Sequence, residues 1–115
     1  MKNNKLNSRQ KGNIAENKAK EYLLNNGFEI ITSNYYTPYG EIDIIATKDD
    51  IYHFIEVKSG DKIEPLLNVT QKKLDRIYKS IDIYLSKNNI DVVYSVDVVR
   101  LYRNKIDFFS KVSYG

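Results

Sequence analysis

Charge placed inside two runs that otherwise read as buried strand constrains this chain most. They are Gly40-Glu41-Ile42-Asp43-Ile44-Ile45-Ala46 and Phe54-Ile55-Glu56-Val57-Lys58. Strand side chains alternate with period two, so Glu41 and Asp43 are expected on one face of their strand and Glu56 and Lys58 on one face of the next. Carboxylates gathered in this way repel one another and lose hydration, and a hard divalent cation such as Mg²⁺ or Mn²⁺ relieves both costs. A metal-dependent hydrolytic site is the expectation.

The rest of the composition narrows that chemistry. The chain has 115 residues, which suits one domain with a single core. It has no cysteine and one histidine, so thiol catalysis, disulfides, thiolate zinc and a histidine-rich metal cluster are excluded and any metal is held mainly by oxygen. The formal charge of +3, from 18 basic and 15 acidic residues, is a mild bias toward polyanions. No signal-peptide pattern or long apolar run is present, which makes a cytoplasmic protein without a membrane partner the expectation.

Residues 1–11 read as a flexible basic arm ahead of a single domain over 12–115. From about Gly12, Ala15, Ala19, Tyr22 and Leu23 recur at helical spacing, and Asn25-Asn26-Gly27 supplies the stop. Strands are expected over 28–35, 41–47 and 51–58 as an antiparallel meander, the last two joined by Lys48-Asp49-Asp50. Ser59 to Val69 reads as a loop. A second helix, capped by Thr70, buries Leu74, Ile77, Ile81 and Tyr84 or Leu85. A β-branched strand over 92–99, the turn Arg103-Asn104-Lys105 and an edge strand over 106–109 complete an α-β-β-β-α-β-β order. The fold class is α/β, a mixed five-stranded sheet flanked by helices.

Asp43 and Glu56 are the expected metal ligands, because neighbouring strands fix both at little entropic cost. Lys58, on the same face as Glu56, is placed to touch a scissile phosphate, orient water and stabilise developing charge, and its acidic neighbours favour the ammonium form. Glu41 is a ligand or a turn residue. Glu16 is a further acidic ligand if the first helix packs behind the site, and otherwise an exposed helix carboxylate. Gln71 and Lys73 open the second helix, where amides and dipole favour a phosphate or the attacking water, although a polar first turn is also ordinary capping. Lys72, Lys73 and Arg76 of that helix, Lys62 of the loop and the ring of Tyr36 are candidate nucleic-acid contacts. His53 lacks a histidine partner and reads as structural or surface.

Asp43 followed by Glu56-Val57-Lys58 resembles the PD-(D/E)xK nuclease signature. Gly12, Glu16, Ala19, Tyr22-Leu23, Gly27-Phe28, Asn34, Gly40 to Ala46 and Phe54 to Lys58 together resemble the YraN family, itself similar in fold to archaeal Holliday junction resolvases. The resemblance covers about Gly12 to Val99. It implies a restriction-endonuclease-like core with Asp43, Glu56 and Lys58 as catalytic triplet, Glu16 as the helix glutamate, and Gln71 or Lys73 as the polar positions opening the second helix. Tyr36 and Gly60 stand where the family pattern usually has arginines, which bears on the strength of phosphate contact. The implied function is Mg²⁺-dependent hydrolysis of DNA, branched DNA and a homodimer included. The alternative is a nucleic-acid-binding protein of the same fold that cleaves weakly or not at all.

Overall fold

A computed structural model of the chain describes residues 7–60 and 70–110. The first helix, α1 (Ser8–Asn25), begins four residues before the apolar periodicity does. Its start is set by side-chain capping: Asn7 Oδ1 accepts the Gln10 amide at 2.8 Å, and Gln10 Oε1 accepts the Asn7 amide at 3.0 Å. This reciprocal box satisfies two donors that a helix start leaves orphaned. Arg9 and Lys11 are therefore exposed helix residues, while Lys2, Lys5 and the candidate contact Lys62 lie outside the described residues. At the other end Gly27 takes φ 87°, and the Phe28 amide returns 3.0 Å to the Leu23 carbonyl. The expected left-handed glycine stop is present.

Five strands follow in spatial order β1 (Glu29–Thr37), β2 (Gly40–Lys48), β3 (Ile51–Gly60), β4 (Tyr94–Tyr102) and β5 (Lys105–Phe109). The first three form the antiparallel meander, joined between β2 and β3 by Asp49 and Asp50, both at positive φ as a two-residue hairpin requires. The connection holding α2 (Gln71–Lys87) then carries the chain to β4, which pairs parallel to β3, and β5 folds back antiparallel. This is the restriction-endonuclease-like topology that the resemblance implied. No helix among the described residues is long and apolar enough to cross a membrane.

The helices cover opposite faces of the sheet. Ala15, Ala19 and Leu23 of α1 pack on Ile44, Ala46, Ile55 and Val99, the small side chains letting the helix lie close. Ile81 and Tyr84 of α2 pack on Ile45, Phe54 and Val96, and Leu74 on Val98. Thr70 caps α2 by accepting the Lys73 amide at 3.1 Å. The centres of β2 and β3 are covered on both faces.

Between β2 and β3, regular pairing stops where the charges begin. The β2–β3 ladder ends at Ile44↔Ile55. Between β1 and β2 the register passes from Ser33↔Ile44 to Tyr35↔Ile42, and Asn34 in the gap has φ 52°. Ile42 belongs to the α2-side core although Ile44 belongs to the α1-side core, so strict alternation breaks at Asp43. Alternation is a property of paired strands.

Candidate metal centre

Past the last β2–β3 pair, the Asp43 carboxylate takes the place of a missing rung: its Oδ2 accepts the Val57 amide at 2.8 Å. Burial raises its pKa from 3.8 to about 7, the Val57 N–H opposes that rise, and Glu56 and then Glu41 add to it. Asp43 therefore holds a proton in a range where an ordinary aspartate has lost it. A group in this state gains by exchanging the proton for a cation.

Glu16 of α1 and Glu41 and Asp43 of β2 each place one carboxylate oxygen within 4.8 Å of the other two. Asn34 gathers two of them, its Nδ2 donating to Glu16 Oε2 at 3.0 Å and to Glu41 Oε1 at 3.0 Å. The left-handed backbone of Asn34, which asparagine tolerates better than most residues, aims that amide. Hard oxygen donors, one of them desolvated, suit a hard divalent cation and not a soft metal.

The expected pairing of Asp43 with Glu56 changes in detail. Glu56 is close enough to raise Asp43, yet its Oε1 lies 3.7 Å from Lys73 Nζ and it is not one of the clustered three. Glu41 and Glu16, each of which has a second reading in the sequence, stand inside the cluster, because the break at Asp43 and the packing of α1 bring them there. Lys58 is half-buried two residues beyond Glu56 and in register with Arg100 of β4.

A groove of about 370 Å³ opens beside the cluster, lined by Tyr39, Glu41, Glu56, Lys72, Lys73 and Arg76 among others. Three candidate phosphate contacts therefore share one wall. Gln71 does not join them: its Nε2 donates to Asp75 Oδ1 at 2.8 Å, because one turn of its own helix offers a nearer acceptor than the site. Nor is the Lys73 amide open to an anion, since Thr70 occupies it. Tyr36 is exposed on the edge strand, directly across from Glu41.

Sequence reasoning passed over Asn34 as a site residue. An asparagine inside a β-branched and aromatic run was the available signal, since the residue type is depleted in strands. His53 is structural, as one of the two sequence readings had it: Nδ1 meets Asp97 Oδ2 at 2.5 Å, Ser95 Oγ donates to Asp97 Oδ1 at 2.6 Å, and Phe28 and Phe108 flank the ring. Asp97 is fully buried and was not singled out, because its carboxylate is hidden in a valine-rich strand.

Comparison with known proteins agrees with this architecture. The model of the Uncharacterised protein family UPF0102 matches residues 15–101. A UPF0102 protein of Aliarcobacter butzleri is 44% identical over 92% of this chain and 98% of its own length. One of Campylobacter fetus is 45% identical over 86% of this chain and 89% of its own. Among solved structures, a Holliday junction resolvase of Archaeoglobus fulgidus superposes with a TM-score of 0.55 at 21% identity, over 82% of this chain and 71% of that one. At that identity the likeness is one of fold.

Proposed function

This chain belongs to the UPF0102 family, and on that premise we propose that it is a divalent-metal-dependent phosphodiester hydrolase acting on DNA, junction DNA among its substrates. The observation that carries the reading is the desolvated Asp43 gathered with Glu16 and Glu41 beside a groove walled by lysine and arginine. The resolvase fold adds weight to a branched substrate.

Asp43, Glu41 and Glu16 would hold the ion, with Glu56 completing the set once phosphate draws Lys73 away. A bound Mg²⁺ or Mn²⁺ supplies Lewis-acid stabilisation of the charge that builds on phosphoryl oxygens. Lys58 presents its ammonium to the scissile phosphate, orients the attacking water and meets the same charge. Lys72, Lys73 and Arg76 hold the flanking backbone and set its register without reading sequence.

The test is cleavage of linear, single-stranded and four-way-junction DNA with Mg²⁺ or Mn²⁺, by wild type and by Asp43→Asn and Lys58→Ala. Metal-dependent cutting by the wild type that drops in the variants by a hundredfold or more, on the order expected when transition-state stabilisation is removed, supports the assignment. A wild type that cuts none of these substrates, or variants that cut as well as it does, removes it. The ion pair of Glu56 with Lys73 favours one second reading, a nucleic-acid-binding protein of nuclease fold that cleaves poorly. That reading predicts binding to the same DNA with no dependence on Asp43.

A further inference from the structure

A second cluster of cations lies away from the groove, at the end of the sheet where β3 finishes and β4 turns into β5. On the α2 face a cavity of about 530 Å³ is lined by Arg100, Tyr102, Arg103, Asn104, Lys105 and Asp107. On the α1 face a cavity of about 360 Å³ is bordered by Lys11, Lys18 and Arg103, with Ile14 and Leu101. Among the described residues, five cations surround the two cavities against a single carboxylate, that of Asp107. From these we propose that this end of the sheet is a docking track for the phosphate backbone of duplex DNA, carrying one strand away from the site.

The track is continuous with the chemistry. Arg100 stands in register with Lys58, and Lys105 with Tyr102 two residues further along β4. With strands about 4.8 Å apart and about 3.3 Å per residue, Lys105 lies on the order of 12 Å from Lys58, the rise of roughly three to four nucleotides. Polyanion at the lysine must pass one side or other of the protein, and here it meets further positive charge.

Two features are otherwise costly to the fold. Arg103 sits at φ 54° in the two-residue β4–β5 turn, a position that glycine or asparagine fills with less strain. An arginine there strains the backbone and presents its guanidinium at the tip, 5.2 Å from the Tyr102 ring centroid. Arg100 donates from one nitrogen to Asp107 at 2.7 Å, while its Nε is buried with no hydrogen-bond partner among the described residues. Phosphate oxygens are acceptors that suit both guanidinium groups.

The inference rests on the proposed function for its partner, and its test separates the two. Fluorescence anisotropy with a labelled duplex of about two helical turns, in EDTA so that nothing is cut, is read across a salt series. The variants are Arg103→Asn with Lys105→Gln, and separately Lys11→Gln with Lys18→Gln. Each pair should lower affinity on the order of tenfold or more and flatten the log K against log salt slope by about 0.9 for each phosphate no longer neutralised. Arg103→Asn should also raise Tm, because it relieves the turn, so weaker binding cannot be laid to misfolding. Wild-type affinity and slope in both pairs would overturn the track while leaving the groove and its proposed function standing. A wild type that binds anionic vesicles but no duplex overturns the track and the DNA substrate together. Metal-dependent cutting has no part in this readout: binding that depends on the track supports it even if Asp43→Asn shows that no hydrolysis exists to lose.

Discussion

Asp43 accepts the Val57 amide while facing Glu41 and Glu56, and its carboxyl lies at about 7 against an ordinary value of 3.8. The folded protein therefore binds a proton there that the unfolded chain has released between about pH 4 and 7. Without metal, the stability contributed by that proton is fully present below about pH 4 and is lost as pH rises through about 7. Thermal melts in EDTA should show Tm falling as pH rises to neutrality, and Asp43→Asn, which keeps an acceptor for Val57, should flatten the profile. Near pH 8 the variant should be about 1–2 kcal/mol more stable than wild type, on the order of 5–10 °C in Tm. A divalent ion favours the ionised carboxylate, so its stabilisation of the wild type should be larger near pH 8 than near pH 6. Asn34 is the other residue whose local cost points to the site. Asn34→Gly accommodates φ 52° yet deletes the amide that ties Glu16 to Glu41. Calorimetric titration with Mn²⁺ should show roughly 10–100-fold weaker binding, the usual effect of removing a group that orients ligands.

Helix α1 is more than a cover for the sheet, because one of its faces delivers Glu16 to β2. That delivery depends on Ala15 and Ala19, small residues buried in the same core as Ile44 and Val99. Ala19→Leu should push the helix outward and cost about 1–3 kcal/mol, and metal affinity should fall with it although no ligand is changed. Urea melts and Mn²⁺ titration on the same sample check both halves of that expectation. Both helices and all five strands were legible in the sequence, through apolar spacing, Gly27 and the cap at Thr70. The start of α1 was less so: Asn7 and Gln10 cap it from a polar segment in which no apolar period announces a helix. Gln71 is a related case, since position at a helix start does not reveal that its amide donates to Asp75.

Across the whole molecule, the site joins parts far apart in sequence: α1, the β1 asparagine, β2, β3 and the first turn of α2. Metal binding should therefore stabilise the entire fold, because only the folded chain assembles the ligands. With free Mn²⁺ at a hundredfold over Kd, linkage gives about 2.7 kcal/mol, which Glu16→Gln and Glu41→Gln should each reduce. Chemical denaturation with and without Mn²⁺ measures it, and equal gains in the variants would place the ion elsewhere. The sequence by itself determined the order of elements, the two covered faces of the sheet, the acidic, thiol-free character of the candidate site and the strands that carry it. Those follow from local periodicity, turn chemistry and residue type, which each segment expresses wherever it is placed. Only the tertiary structure decided which carboxylates meet, because that depends on where pairing fails. Asn34, beside the break at Asp43, ties Glu16 to Glu41, while Glu56 meets Lys73 and Asp97 is buried beside His53. Strand alternation describes an intact ladder, and the charges collect where the ladder opens.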